Sequence, residues 1–400
     1  MGQIIVIGAG QAGVSLSARL RRLGYEGGLT LIGAEPVPPY QRPPLSKKYL
    51  LGEMAAKRLY LRPESFFAEE GIDLVLGHAA GAFDPVARNV TVGTKTYRYS
   101  QLALTTGSVP RRLPAAIGGD LGGVHCVRTL GDIDAMAPEF RSGRRVLIVG
   151  GGYIGLEAAA VASQRGLGVT LIEAAERILQ RVAAPQTSDF FRRLHRVHGV
   201  DIREGVALVR LVGGGRVKEA ELSDGSRIET DFVIVGVGIS PQTALAQAAG
   251  LEIENGIRTD AFGRTSNAKI WAAGDCTSFP WRGRRIRLES VPNAIDQAEA
   301  VAANMLGANT EYVAKPWFWS DQYDVKLQIA GLNSGYDSVI ERSAGGGTSF
   351  WYFRGRELLA VDAMNDPRAY MIGKRLIEAG RSPLKAAVAD QARDLKSLLG

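Results

Sequence analysis

The chain has 400 residues, of which 46% are hydrophobic and 22% charged, and its formal net charge is +7 at pH 7. This composition excludes a disordered chain and can bury large cores, so we expect two or three domains. We also expect a cytoplasmic protein with no membrane or nucleic-acid partner, because the sequence has no leader, no bilayer-spanning apolar run and no recognition motif to accompany its positive charge.

The two cysteines, Cys126 and Cys276, lie far apart in the sequence. They cannot form a closely spaced redox pair, a zinc site or a disulfide framework. We therefore predict no metal site, and we predict that each cysteine is a small buried residue.

The first predicted element is an apolar strand, residues 4–7, that runs into a glycine-rich turn. The glycines of this turn are Gly8, Gly10 and Gly13. A helix over residues 12–23 and a strand over residues 29–32 are predicted next, and the unit closes on Glu35. A strand, glycine turn, helix and acidic residue in this order are the context that a dinucleotide-binding fingerprint requires.

A stiff, basic segment, residues 40–50, follows this unit. Its adjacent prolines, Pro43 and Pro44, favour an extended path over a helix or central strand. Ser46 is predicted to be the N-cap of a helix that projects Lys47.

The same pattern occurs a second time, with a helix predicted to end near residue 165 and a strand over residues 169–172 that closes on Glu173. The glycines of the second turn are Gly150, Gly152 and Gly155. In both turns the first glycine permits the tight bend, the second lets the backbone approach a pyrophosphate, and the third permits close helix packing. The N-terminus of each helix then attracts the phosphates.

Two such units predict two dinucleotides, and hydride chemistry makes FAD with NADH the natural pair. Glu35 and Glu173 would accept hydrogen bonds from ribose hydroxyls. A carboxylate at Glu173 would repel a ribose phosphate and therefore favours NADH over NADPH, although two positively charged side chains, Arg177 and Arg181, lie nearby.

A third motif, around residues 270–276, resembles the second FAD signature of two-dinucleotide flavoproteins, and Asp275 is predicted to contact flavin ribityl hydroxyls. We predict an α/β fold with two Rossmann-like dinucleotide-binding domains and a small C-terminal α+β domain. The predicted domains are an FAD-binding domain formed by residues 1–113 and 241–315, an NAD-binding domain formed by residues 114–240, and a C-terminal domain formed by residues 316–400.

Over its whole length the chain resembles the glutathione-reductase-fold NADH:ferredoxin reductases of bacterial oxygenase systems, the putidaredoxin reductase and biphenyl dioxygenase reductase type. The matching stretches are PPLSKKYL, VGGGYIGLE, IWAAGDC, ESVPNA and PWFWSDQYD. The resemblance implies one non-covalent FAD, NADH as hydride donor and a two-iron two-sulfur ferredoxin as acceptor. Composition and spacing alone predict only a two-dinucleotide oxidoreductase.

The resemblance also implies which positions contact the cofactors, with one departure, since some relatives have an aspartate where this chain has Ala34 and the acid stands here at Glu35. The implied FAD contacts are Ala12, Lys47, Ala80, Arg128, Asp275 and Val291, to which we add Arg42 at the pyrophosphate and Trp319 at the flavin face. The implied NADH contacts are Gly151, Gly152, Tyr153, Ile154, Glu157, Glu173 and Gly238.

Lys47 and Glu157 are predicted to form an ion pair beside the flavin, in which Lys47 stabilises negative charge on the reduced flavin and Glu157 orients the lysine and the nicotinamide. The alternative is an ordinary salt bridge. Disulfide reductases of this fold use a dithiol, and NADH oxidases or peroxidases keep a cysteine in the loop where Ser46 and Lys47 stand here. We therefore expect electrons to leave one at a time. A helix over residues 293–306 is predicted to point its N-terminus at the flavin.

An arginine cluster is predicted to dock an acidic ferredoxin that feeds a heme-thiolate or Rieske oxygenase. The cluster consists of Arg282, Arg284, Arg285 and Arg287, joined by Lys326 and Arg62. We expect a monomer or weak dimer. The alternatives are a rubredoxin reductase or NADH oxidase on the same fold, or an apoptosis-inducing-factor-like flavoprotein whose basic surface contacts nucleic acid.

Overall fold

The computed structural model describes residues 2–400, and the chain divides into two compact units. Unit 1 consists of Met1–Gln41, Ala56–Val109 and Ser240–Pro316, and unit 2 consists of Arg42–Ala55, Pro110–Ile239 and Trp317–Gly400.

Unit 1 is built around a parallel sheet of five mostly buried, apolar strands. In spatial order these strands are Ile270–Ala272, Gln101–Leu104, Ile4–Ile7, Leu29–Ile32 and Asp73–Val75. Helices Gln11–Arg22 and Val291–Met305 pack on one face, in a core that includes Ile4 and Val6. The alternate residue Ile5 faces a second core on the other side, which explains why the central strand, Ile4–Ile7, is apolar throughout.

The remaining elements of unit 1 are short. An antiparallel sheet is formed by Ala80–Asp84, Asn89–Val92 and Lys95–Arg98, and a mixed sheet by Ile257–Arg258, Thr277–Trp281 and Arg284–Ile286. The helices are Ala56–Leu59, Glu64–Glu69 and Ala244–Ala248. Strands Ser108–Pro110 and Ile239–Pro241 contain positions where the chain passes from one unit to the other.

Unit 2 contains a second parallel sheet of five strands. In spatial order these are Asp201–Glu204, Gly168–Glu173, Arg145–Val149, Phe232–Val235 and Val124–Cys126. Its helices are Leu130–Met136, Tyr153–Gln164 and Pro185–Val197, with short turns at Ala115–Ile117 and Ala137–Glu139. Strands Leu208–Val212, Glu219–Leu222 and Arg227–Glu229 form an antiparallel sheet. The segment Arg42–Ala55 contributes a single π-helical turn, Leu45–Tyr49.

The C-terminal part of unit 2 is an antiparallel sheet of five strands. In spatial order they are Trp317–Gln322, Val325–Gly331, Glu357–Met364, Gly347–Arg354 and Ser338–Ala344. Helix Pro367–Glu378 packs on this sheet, and its first turn is capped by Asp366, which accepts a 2.9 Å hydrogen bond from the Ala369 amide. Helices Lys385–Ala389 and Leu395–Leu399 complete the chain.

The predicted α/β fold class is confirmed, and the strands predicted at residues 4–7 and 29–32 have the predicted bounds. The helix predicted over residues 293–306 begins two residues earlier, at Val291, because the Ser290 hydroxyl accepts from the Asn293 amide and Pro292 suits the first turn. The three predicted domains stay a prediction.

The two cysteines are buried, with 6% and 0% of Cys126 and Cys276 exposed, which confirms the prediction. Within residues 2–400 we find no helix that is both long and apolar enough to cross a membrane.

Two buried titratable groups of unit 2 have pKa values shifted in opposite directions. His195, on helix Pro185–Val197, is wholly buried, and this burial lowers its pKa from 6.5 to about 4. Burial raises the pKa of Asp362 from 3.8 to about 6, although Tyr352 and Thr187 donate hydrogen bonds to its carboxylate. As the pH falls, His195 therefore destabilises the folded state while Asp362 stabilises it.

We expect His195→Gln to change the pH dependence of folding. The unfolded chain takes up a proton at His195 near pH 6.5 and the folded chain only near pH 4, so the wild type loses stability across this window. The variant lacks this loss, and its unfolding free energy should rise relative to wild type by roughly 3 kcal/mol between pH 7 and pH 4. Urea unfolding at several pH values measures the difference. If the unfolding free energies of wild type and variant changed with pH in parallel, His195 would have the same pKa in the folded and unfolded chains.

Candidate active site

The first glycine turn, in unit 1, has the geometry that a bound pyrophosphate requires. Gly8 has a φ of 115°, and a Cβ there would lie 2.2 Å from the Thr105 carbonyl oxygen. A Cβ on Gly13 would lie 1.9 Å from the Gly8 carbonyl oxygen, so the helix packs directly on the turn. Beside Gly10, by contrast, no atom lies within 4 Å of the Cβ position. Gly10 is the N-cap of helix Gln11–Arg22, so this open space lies at the N-terminus of that helix.

The second turn, in unit 2, repeats this arrangement. Gly150 has a φ of 109°, and a Cβ there would lie 2.5 Å from the Gly236 carbonyl oxygen. A Cβ on Gly155 would lie 2.0 Å from the Gly150 carbonyl oxygen, whereas Gly152 again has open space beside it. Both turns therefore fit a dinucleotide at the same relative position.

Glu173 is held against the second turn by two backbone amides. Its carboxylate accepts hydrogen bonds from the Gly151 amide at 2.7 Å and the Ala175 amide at 2.8 Å. The nearby Arg177 donates to the Ser188 hydroxyl at 2.6 Å and to the Ala183 carbonyl at 2.8 Å. Because Arg177 already donates to groups of its own unit, this geometry favours a ribose hydroxyl over a ribose phosphate at Glu173.

Two predicted FAD carboxylates lie near the carboxyl ends of strands of the unit 1 sheet. Glu35 follows strand Leu29–Ile32 and accepts a 2.5 Å hydrogen bond from the Tyr40 hydroxyl. Asp275 follows strand Ile270–Ala272 and accepts a 3.1 Å hydrogen bond from Ser108. Ligands of open parallel sheets bind at this edge, so the predicted FAD roles of both residues fit their positions.

The other predicted cofactor residues are distributed over both units. In unit 1, Ala12 is buried in the first helical turn, Ala80 begins a strand and Val291 begins a helix. In unit 2, Arg42 donates to the Arg128 carbonyl oxygen at 2.7 Å, which brings two predicted FAD residues together. The remaining ones are Tyr153 and the exposed Ile154, Gly238 with a φ of 101°, and the half-buried Trp319. Their binding roles stay predictions.

Lys47 and Glu157 form the predicted ion pair within unit 2, with Lys47 Nζ 3.0 Å from Glu157 Oε1. Glu157 lies on helix Tyr153–Gln164 and is only 6% exposed. The hydroxyl of Ser320 donates to Oε1 at 2.7 Å. Burial raises the pKa of Glu157, and the ammonium of Lys47 and the hydroxyl of Ser320 oppose this rise. The ammonium also lies 3.5 Å from Asp321 Oδ2.

The prediction that Ser46 is a helix N-cap is wrong. The turn Leu45–Tyr49 has Pro44 at its N-cap and no side-chain cap. The Ser46 hydroxyl instead donates to Glu157 Oε2 at 2.9 Å, because the buried carboxylate is the stronger acceptor.

Sequence reasoning missed Ser320 and Gln322, although both belong to the quoted stretch PWFWSDQYD. They lie two positions apart on strand Trp317–Gln322, and both are completely buried. Two polar residues that alternate along a strand directly after three aromatic residues are the signal that could have pointed to them, since they share one face of the strand and buried polar groups need partners.

The residues of both turns fit dinucleotide cofactors, and a buried tyrosine hydroxyl beside the second turn supports the same conclusion. The buried hydroxyl of Tyr153, at the start of the helix after the second turn, has no hydrogen-bond partner within residues 2–400. Two open glycine turns, each followed by a positioned carboxylate, define a two-dinucleotide oxidoreductase.

Comparison with known proteins identifies the family. The model of the pyridine nucleotide-disulphide oxidoreductases matches residues 2–298, and that of the reductase C-terminal domain matches residues 317–399. The chain belongs to the pyridine nucleotide-disulphide oxidoreductase family. Members and their ferredoxin reductase relatives use FAD and NAD(H), so the predicted enzyme class and cofactors are confirmed.

Relatives are similar over nearly their whole length. A ferredoxin--NAD(P)(+) reductase of Sphingomonas sp is 43% identical, with 99% of this chain and 97% of the relative covered. Putidaredoxin reductase of Pseudomonas putida is 38% identical, with coverages of 99% and 96%. The crystal structure of a covalent putidaredoxin reductase–putidaredoxin complex matches with a TM-score of 0.96 and 37% identity, covering 100% of this chain and 98% of that one.

We expect Glu173→Gln to weaken the discrimination between NADH and NADPH. Removing the negative charge removes its repulsion of a ribose phosphate. The ratio of kcat/KM with NADH to kcat/KM with NADPH should therefore fall roughly tenfold. Steady-state reduction of a dye acceptor with each nucleotide measures this ratio. Glu176→Gln, an exposed carboxylate three positions along, is the matched control. An unchanged ratio in Glu173→Gln would contradict the assignment.

Proposed function

We propose that this chain is an NADH:ferredoxin reductase. It takes a hydride from NADH and passes two electrons, one at a time, to a two-iron two-sulfur ferredoxin that feeds a heme-thiolate or Rieske oxygenase. The overall reaction is NADH plus two oxidised ferredoxins giving NAD⁺, two reduced ferredoxins and one proton. Cytoplasmic localisation is part of this proposal and agrees with the two buried, free thiols.

The observation that carries this proposal is the buried Lys47–Glu157 ion pair. Lys47 of this pair lies in the segment where related disulfide reductases and NADH oxidases use cysteines, and here the segment, residues 40–50, contains none. Bound FAD supplies the conversion from two-electron to one-electron transfer. The task of Lys47 is to hold a positive charge at a fixed point, and that of Glu157 is to orient the ammonium and exclude other rotamers.

The ferredoxin partner is proposed from the relatives and from the surface of unit 1. Putidaredoxin reductase is described in a covalent complex with putidaredoxin. Of the predicted arginine cluster, Arg282 and Arg284 are exposed at a hairpin turn, with guanidinium carbons 4.8 and 5.6 Å from the Trp281 ring centroid. Arg285 is half-buried, with its Nε 3.1 Å from Glu254 Oε2, and Arg287 is ion-paired with Glu289. Among the four arginines the docking prediction therefore narrows to Arg282 and Arg284, the two that are exposed, while the predicted parts of Lys326 and Arg62 stay predictions.

We expect Lys47→Met to slow reduction of the bound FAD by NADH roughly 10- to 100-fold, because the reduced flavin loses a positioned positive charge. Anaerobic stopped-flow absorbance measures this rate. Lys48→Met, at the exposed neighbouring position, is the matched control and should stay near wild type. An unaltered rate in Lys47→Met would show that the Lys47–Glu157 pair is an ordinary salt bridge with no part in flavin reduction.

We expect the double variant Arg282→Glu/Arg284→Glu to slow ferredoxin reduction at least about tenfold at low salt, because charge complementarity mainly sets the association rate. NADH reduction of a small dye should be unchanged. Lys95→Glu/Arg98→Glu makes the same charge change on an exposed edge of unit 1 and serves as control. Equal losses with dye and ferredoxin, or with the control pair, would refute docking at this hairpin.

A comparison of acceptors separates the proposal from an NADH oxidase. Ferredoxins encoded near this gene should be reduced far faster than oxygen is consumed with NADH. NADH oxidation by oxygen at a rate rivalling that with any ferredoxin would favour the oxidase.

A further inference from the structure

A row of buried hydrogen bonds leads to Glu157 from the C-terminal sheet. Gln322 Nε2 donates to the Ser320 hydroxyl at 3.2 Å, and this hydroxyl donates to Glu157 Oε1 at 2.7 Å. Both Ser320 and Gln322 are completely buried, so water does not compete for these bonds.

The row begins at the buried His195. Its Nε2 lies 2.8 Å from Gln322 Oε1, and its Nδ1 lies 3.3 Å from the Tyr323 hydroxyl. Because the Gln322 oxygen faces the imidazole, Nε2 must carry the proton and Nδ1 accepts from Tyr323. Burial raises the pKa of Tyr323 to about 12, so its hydroxyl keeps the proton that it donates.

The direction of this row is tied to the charge of Glu157. From His195 through Gln322 and Ser320 to Glu157, each donor points toward the carboxylate, which suits an ionised acceptor. In the reverse direction the Gln322 amide would be flipped and the Ser320 hydroxyl would donate to its oxygen. Glu157 would then face a lone pair of Ser320 and could form a hydrogen bond to it only by becoming protonated.

We propose that His195 and Gln322 are positioning residues that keep Glu157 ionised by fixing the direction of the Ser320–Glu157 hydrogen bond. The proposal concerns the charge of Glu157, and it rests on the proposed function only for the effect of that charge on the reaction.

The other groups that face this row do not supply its direction. The ammonium of Lys47 contacts Glu157, and Asp321 contacts the same ammonium, while the Ser46 hydroxyl bonds the other carboxylate oxygen. His198 stacks on the Tyr323 ring at 3.7 Å between centroids, and its Nδ1 is 2.9 Å from the Leu194 carbonyl oxygen. His195 stays neutral above pH 5, since burial lowers its pKa to about 4, and it therefore acts through its tautomer and not through a charge.

Infrared titration of the holoenzyme tests this proposal directly. The carboxylic acid C=O band of protonated Glu157 is identified as the band that Glu157→Gln abolishes, and its intensity is followed against pH in each variant.

His195→Leu removes the N–H that donates to Gln322 Oε1, whereas His195→Gln places a side-chain N–H where Nε2 stood. His198→Leu is the matched control, because it changes the neighbouring imidazole and removes none of the hydrogen bonds between His195 and Glu157. Gln322→Met breaks the row at its centre and serves as an independent second variant.

In His195→Leu and Gln322→Met the protonation midpoint of Glu157 should rise by about one pH unit, a tenfold change in its proton affinity. His195→Gln should restore the wild-type midpoint, and His198→Leu should not move it. The pH profile of dye reduction should shift in parallel if Glu157 also acts as proposed in the reaction.

A midpoint that stays at the wild-type value in both His195→Leu and Gln322→Met, or that moves equally in His198→Leu, would overturn the proposal. A shifted infrared midpoint with an unshifted pH profile would instead support the positioning role of His195 and Gln322 and count against the proposed orienting role of Glu157 in the reaction.

Discussion

The arrangement of unit 2 depends on the cost of burying the Glu157 carboxylate. A charge that is almost fully removed from water is tolerated only where a counter-ion and hydrogen-bond donors surround it. These come from two distant parts of the sequence, since Lys47 and Ser46 belong to the segment Arg42–Ala55 and Ser320 to the C-terminal sheet. Removing Lys47 would leave an uncompensated charge, and removing either serine would take a hydrogen bond from the buried carboxylate. The three stretches are therefore held to one geometry at Glu157.

The glycine turns were predictable because each of their requirements is local. An apolar strand must be followed within a few residues by a glycine at positive φ, as at Gly8 and Gly150, and then by a helix that begins beside an open glycine. The strands Ile4–Ile7 and Leu29–Ile32 could be predicted for the same reason, since a parallel strand that is buried on both faces is almost entirely apolar, with Thr30 the one polar residue of the two.

The partners of the buried polar side chains could not be predicted, because they are set by packing between distant elements. Ser46 resembles a helix cap in the local sequence, yet it bonds Glu157, 111 positions away. Gln322 and His195 lie 127 positions apart. Likewise, nothing in the cluster of four arginines indicates that Arg285 and Arg287 are half-buried while Arg282 and Arg284 are exposed.

The central claim is that Lys47 and Glu157 act as one unit in hydride transfer. A double-mutant cycle tests it most directly, with the stopped-flow rate of flavin reduction by NADH measured in Lys47→Met, Glu157→Gln and the double variant. The account predicts strongly non-additive losses, with the double variant no slower than the slower single variant, because each change alone already destroys the pair. Losses that multiply would contradict it and show two independent residues.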